Sequence, residues 1–363
     1  MSTLFDPTTL GGLALQNRIV MAPLTRNRAD VMGVPKPFVR DYYAQRASAG
    51  LIISEGTQTS FAGQGYCRTP GIHTSEQVDA WKRVTDAVHE RGAKMFMQFM
   101  HCGRIAHPLN RQIADLAVAP SAVKPAGQMW TDQQQLQEYP TPRALETAEL
   151  PGLVEEFVSA ARNAMLAGFD GVELHAANGY LLNQFLASNT NRRTDGYGTS
   201  VQGRIRFVVE VVDAVAAAIG AARTAIRVSP GHMFNDLVDA NPLETHRALL
   251  DALPTADMAY VHVMLPDAFS PQLNNAGDPQ AVLPALRPHV KGTLIAAGNL
   301  TAKSAQSMLD SGLIQLAVFG RPFIANPDLV ERLRAGAPLA TPREEFFYTP
   351  DAQGYSDYPS RAP

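Results

Sequence analysis

The stretch GVELHAANGYLLNQFL, residues 171–186, opens as a strand and closes as something else. From Gly171 to Ala176, Val172 and Leu174 alternate with Glu173 and His175, which is the period of a β-strand. His175, Asn178 and Tyr180 then follow within six residues, and Gly179 can turn the chain so that Asn178 and Tyr180 reach one ligand. Catalytic side chains emerge in this way at the carboxyl end of a strand in a (β/α)8 barrel, so the rest of the chain is read for strands of the same kind.

Seven further short apolar runs answer that description: residues 18–25, 50–58, 94–100, 225–230, 258–264, 293–298 and 315–320. Such runs suit strands buried on both faces. Helical patterns fill most intervals. Thr74 and Gln77 make a capping box ahead of an amphipathic run that stops at Gly92, and residues 201–219 repeat Val and Ile at helical spacing. A third helix runs from a capping Thr301 to Gly312. Eight alternations predict an α/β fold, a single (β/α)8 TIM barrel over residues 1–363, with residues 1–17 capping one end and residues 103–150 forming a long excursion over the catalytic face. An open doubly wound sheet is the competing architecture, but no GxGxxG follows any strand.

A formal charge of −3, with Lys and Arg scattered, leaves no basic footprint for nucleic acid or anionic lipid, so the expected partner is a small molecule. The amino terminus lacks the pattern of a signal peptide, and no apolar run approaches the ~18 residues of a membrane span, which points to a cytoplasmic protein, monomer or homodimer. Cys67 and Cys102 form no CxxC pair, and the spacing of His101, Cys102 and His107 matches no common zinc pattern, so no metal is expected.

The runs at 293–298 and 315–320 lead into Gly298 and into Gly320–Arg321. In such barrels the loops after strands seven and eight commonly bind phosphate, the glycines letting backbone N–H groups approach and the arginine adding a forked cation. Arg227, inside the apolar run AIRVSP, calls for an anionic partner if buried.

Together with LFDPTTLGGLALQNRIVMAPLTRNRA at the start, GQGYCRTPGI, QFMHCGR, SNTNRRTDGYG, AAGNLT, FGRPFIANPDL and GYSDYP, these pieces resemble the old yellow enzyme family over nearly the whole chain. The resemblance implies a barrel holding FMN, reduced by NADPH or NADH, that reduces the C=C bond of α,β-unsaturated carbonyl compounds, with nitroalkenes, quinones and nitrate esters as additional substrates. It implies that Pro23 and Thr25 lie beside the flavin, that Gly56 lets backbone approach it, and that Gln98 and Arg227 meet its pyrimidine edge. Gly298, Asn299, Gly320 and Arg321 fall on the phosphate site, and Tyr66, Met100, Phe234 and Tyr355 frame the substrate pocket.

Hydride addition to an enone builds charge on the carbonyl oxygen, which His175 and Asn178 can receive as donors. The α-carbon then needs a proton from an acid that stays protonated at neutral pH, and a tyrosine, of ordinary pKa about 10, fits Tyr180 to that task. Met100 stands where many relatives carry tryptophan, which predicts a roomier pocket, and Gly196 and Thr199 replace an acid and a glycine, which puts their loop in question. The competing functions are a flavin-free barrel aldolase or isomerase, for which Lys94 is poorly placed, and a non-catalytic flavin-binding protein, which gives Tyr180 no task.

Overall fold

A computed structural model describes residues 2–113, 115–133, 135–266 and 274–361. Eight parallel strands close into a barrel: β1 (Ile19–Met21), β2 (Leu51–Ile53), β3 (Lys94–Phe99), β4 (Gly171–Ala176), β5 (Thr224–Val228), β6 (Tyr260–Met264), β7 (Leu294–Ala297) and β8 (Leu316–Phe319). Each pairs with its sequence neighbour, and β8 closes on β1. Every apolar run is thus a barrel strand, though most strands are shorter than their runs. β1 stops at Met21, two residues before Pro23, which has no N–H for a ladder.

Helices α1 (Pro37–Gln45), α2 (Ser75–His89), α3 (Leu150–Leu166), the short α4 (Leu181–Leu186), α5 (Val201–Ile219), α6 (Pro242–Ala252), α7 (Pro279–Leu286) and α8 (Ala302–Asp310) surround the strands. The expected caps form: Thr74 and Gln77 bond reciprocally at the start of α2, and Thr301 accepts from the Ser304 N–H ahead of α8. Strand residues such as Met95, Val172, Leu174, Ile226 and Val261 face outward into the helix layer, where Trp81, Phe157 and Phe207 fill the core.

The inward faces of the strands divide into two zones. Toward the amino ends, Val20, Leu51, Phe96, Tyr260, Ile295 and Leu316 pack together. An antiparallel hairpin, Thr8–Leu10 with Leu13–Leu15, inserts Leu10 and Leu15 into that zone and so closes this end of the barrel. Its turn is glycine because Gly11 has φ +52° and an added Cβ would lie 2.5 Å from the Ala222 carbonyl oxygen. Toward the carboxyl ends the register sets Glu173 beside Gln98, and Arg227 beside both His175 and His262, so the interior turns polar.

The excursion after β3 has structure of its own. Val118–Ala119 pairs in parallel with Arg143–Ala144, and Gln128–Trp130 forms a hairpin with Leu136–Glu138. Met129 and Tyr139 from this segment bury against Met100, Ile105 and Tyr180, roofing the carboxyl end of β4. Buried Arg104 fastens it to the loop after β5, donating to the carbonyls of Asn235 (3.1 Å) and Asp236 (2.6 Å).

The carboxyl-terminal segment is held by buried arginines reaching backbone oxygens. Arg26 donates to Phe347 (3.0 Å) and Gly354 (2.8 Å), and Arg28 to Phe346 (2.7 Å), Asp351 (3.1 Å) and Gln353 (3.1 Å). Among the described residues no helix is long and apolar enough to cross a membrane.

Candidate active site

Beyond β4 the chain turns sharply. Asn178 (φ +56°) and Gly179 (φ +80°) both take left-handed backbone, and Tyr180, still extended, stands at the N-cap of α4. The turn brings the Tyr180 ring to 4.9 Å from that of His175 and its hydroxyl to 3.2 Å from the Tyr66 hydroxyl. Burial, with Arg227 and His262 nearby, drives the His175 pKa well below its ordinary value, so the ring is neutral, and its Nδ1 has no partner among the described residues.

Tyr180 is held protonated. Burial pushes its pKa up, while the hydrogen bond between its hydroxyl and that of Tyr66 opposes that rise, since the Tyr66 hydroxyl can stabilise the phenolate. Asn178 is fixed by the loop after β5: its N–H donates to Ser229 Oγ (2.9 Å), its carbonyl accepts from Asn235 Nδ2 (2.9 Å), and its Oδ1 lies 3.3 Å from His232 Nδ1.

Beneath this cluster runs the polar layer of the barrel. Gln98 Nε2 donates to Glu173 Oε1 (2.7 Å), and His262 Nδ1 lies 2.8 Å from Glu173 Oε2. Burial alone would raise the Glu173 pKa, but His262, Arg227 and Gln98 together hold it below its ordinary value, while burial keeps His262 neutral. The layer therefore carries one carboxylate and one cation, Arg227. That guanidinium is 6% exposed, makes no ion pair with Glu173 within 4.0 Å, bonds through Nη2 to the Met264 sulfur (3.3 Å), and leaves Nε with no partner among the described residues. A buried cation so incompletely satisfied marks a place for an anionic or strongly accepting group.

Around the rim lie the ends of β1, β7 and β8. Pro23 is buried and Thr25 half-buried, and the next residue, Arg26, donates its N–H to Glu55 Oε2 (3.2 Å). Gly298 has φ +144°, and an added Cβ would come within 2.7 Å of the Leu265 side chain; Asn299 follows at φ +49°. At Gly320 an added Cβ would meet nothing closer than 3.6 Å, so the chain's own packing does not demand glycine there. Arg321 follows, exposed, at the head of the short helix α9 (Arg321–Ala325).

Comparison with known proteins decides the family. The chain matches the model of the NADH:flavin oxidoreductase / NADH oxidase family over residues 3–340. It belongs to that family. The chain is 41% identical to a probable flavin mononucleotide-dependent alkene reductase of Leishmania infantum, over 99% of this chain and 98% of that protein. Among solved structures it superposes on morphinone reductase in complex with tetrahydroNAD (TM-score 0.93, 45% identity, 100% and 98% of the two chains). It also superposes on the old yellow enzyme homologue from Zymomonas mobilis (TM-score 0.92, 41% identity, 98% and 99%). The likeness to the old yellow enzymes read from the sequence therefore stands, and the enzyme is an FMN-dependent NAD(P)H oxidoreductase.

Within this enzyme the expected pocket residues fare unequally. Met100 shares one buried cluster with Tyr180, with half-buried Tyr66 packed against it, and Met100 packs on Gly56 so closely that an added Cβ would sit 2.6 Å from its sulfur. Phe234 lies on the neighbouring loop, 41% exposed, stacked on His232. Tyr355 does not join them. Its ring is fully buried, stacked on Tyr42 at 3.8 Å beside the guanidiniums of Arg26 and Arg28. Elsewhere in the tail, Tyr348 is 62% exposed and adds a minor electrostatic push against ionisation of Tyr180.

His101, Cys102 and His107 serve separate structural roles. His101 Nδ1 accepts from the Gly103 N–H, His107 caps the turn at Leu109, and buried Cys102 has its pKa pushed up to about 12. Among the described residues no three His, Cys, Asp or Glu gather as metal ligands. Lys94 opens β3 at the opposite end of the barrel and lies 3.6 Å from Asp170, so it offers no Schiff-base amine at the mouth.

Proposed function

We propose that the enzyme reduces the C=C bond of α,β-unsaturated carbonyl compounds at the carboxyl end of the barrel. The observation that carries this reading is the convergence of a neutral His175, whose Nδ1 has no partner among the described residues, and a protonated Tyr180 above the incompletely satisfied cation Arg227. FMN fits the residues present: Arg227 Nε and Gln98 would hold its pyrimidine edge, and Pro23, Thr25 and Gly56 would flank the ring. Gly298, Asn299, Gly320 and Arg321 would take its phosphate, and the open space at Gly320 supports that fit. Bound there, FMN would supply the hydride chemistry that links NAD(P)H to the alkene.

The side chains do the rest. His175, being neutral, donates one N–H to the substrate carbonyl oxygen, and Asn178 Nδ2 donates a second. Each such donor stabilises the developing oxyanion by about 3 kcal/mol in the transition state. Tyr180 transfers its hydroxyl proton to the α-carbon, and Tyr66 steadies the phenolate left behind until water returns a proton. A neutral histidine suits this division of labour, because a charged one would itself become a competing acid.

Product analysis tests the reading. With cyclohexenone and NADPH the enzyme should yield cyclohexanone in step with NADPH consumed. Cyclohexenol as product, or no turnover by flavin-loaded enzyme, would overturn it.

A further inference from the structure

We infer that His232 is a positioning residue for the substrate site, acting through Asn178, an inference that rests on Asn178 serving as an oxyanion donor. An asparagine amide presents an acceptor on one side and a donor on the other, and rotation by half a turn exchanges them. Only with Nδ2 toward the substrate does Asn178 stabilise an oxyanion. In the reverse orientation it sets a carbonyl dipole against the developing charge.

Three bonds hold the backbone and side chain of Asn178, and all come from the loop after β5. Ser229 and Asn235 fix its backbone, and His232 Nδ1, 3.3 Å from Oδ1, fixes the amide. Oδ1 carries no hydrogen, so the bond requires His232 to donate from Nδ1, and Nδ2 is then left without a partner among the described residues. The imidazole acts as a selector of amide orientation.

His232 is itself well anchored. It is 8% exposed, its ring lies parallel to Phe234 (5.9 Å, 5°), and its backbone bridges to Asn274. Gly231 before it has φ +76° and lies so close to Ala276 that an added Cβ would meet that residue's Cβ at 2.3 Å. The ring is thereby set by packing that does not involve the substrate.

The test uses flavin-loaded enzyme and p-nitrophenol, whose phenolate oxygen stands in for the enolate oxygen, with binding followed by absorbance. His232→Phe keeps an aromatic ring against Phe234 but removes the donor, and His232→Gln restores a donor. We expect Asn178→Ala and His232→Phe each to weaken phenolate binding about tenfold, the share of one hydrogen bond to a charged group. His232→Gln should recover most of that loss. The double variant Asn178→Ala/His232→Phe should bind no more weakly than Asn178→Ala alone, since His232 acts only through Asn178.

Tight binding by His232→Phe alongside weak binding by Asn178→Ala would overturn the role of His232 and leave that of Asn178 intact. Tight binding by both would overturn the reading of Asn178. Additive losses in the double variant, or no recovery in His232→Gln, would mean that the ring only fills space. FMN content of each variant controls for folding.

Discussion

Replacing Tyr180 by phenylalanine removes a single oxygen atom from the mouth of the barrel. The ring is 7% exposed and keeps its packing among Met100, Ile105 and Tyr139, so the fold loses only the bond to Tyr66, about 1 kcal/mol. The catalytic loss is larger, because a positioned general acid contributes about a hundred- to ten-thousand-fold, or roughly 3–5 kcal/mol. Tyr66→Phe offers an internal scale. It leaves the acid in place but removes the hydroxyl, 3.2 Å away, that favours the Tyr180 phenolate. A hydrogen bond to a charged group is worth about 1.5–3 kcal/mol, so this variant should lose about ten- to hundredfold.

Stopped-flow absorbance separates the two half-reactions. Reduction by NADPH should proceed at nearly the native rate in both variants, while reoxidation by cyclohexenone should slow in Tyr66→Phe and slow further in Tyr180→Phe. Reoxidation of Tyr180→Phe within about threefold of the native rate would remove it as the acid. A larger loss in Tyr66→Phe than in Tyr180→Phe would exchange their roles.

Two further predictions concern stability. Burial raises the Glu55 carboxyl from its ordinary 4.5 to about 7, even against Arg26 and Arg28. Below pH 4.5 the group is protonated folded or unfolded; between pH 4.5 and about 7 the unfolded state ionises while the folded state keeps its proton, so the folded state loses up to roughly 3 kcal/mol, a loss complete once pH passes the folded value of about 7. Glu55→Gln keeps an acceptor for the Arg26 N–H, so its thermal midpoint should gain on the native enzyme between pH 5 and pH 8, and a pH-independent difference would refute the assignment. Exposed Thr199 sits at φ +59°, a conformation that is costly for a β-branched residue. Thr199→Gly should stabilise by roughly 0.5–1 kcal/mol, the left-handed strain relieved less the added chain entropy, measured by urea unfolding; a net loss would show that the threonine side chain contributes there.

The barrel was legible because buried parallel strands write themselves as short apolar runs, and the caps at Thr74 and Thr301 because capping is local in sequence. His175, Asn178 and Tyr180 could be read together because one tight turn follows their strand. What escaped depends on contacts distant in sequence. Nothing in EEFFYTPDAQGYSDYP shows that Tyr355 packs on Tyr42: the segment lacks periodicity, and its path is set by Arg26 and Arg28, which bond its backbone carbonyls and so leave no mark in its side chains. His232 was missed for a similar reason, since its value lies in one bond across a loop to Asn178. The small sheets of the excursion are two or three residues per strand, too short for any pattern to show.

This barrel passes reducing equivalents from NAD(P)H to an activated alkene through bound FMN. Anaerobic absorbance of the purified protein tests it most directly. The protein should be yellow, its colour bleaching with NADPH and returning when cyclohexenone is added. A protein without flavin absorbance, or one that stays bleached in the presence of the enone, would contradict it.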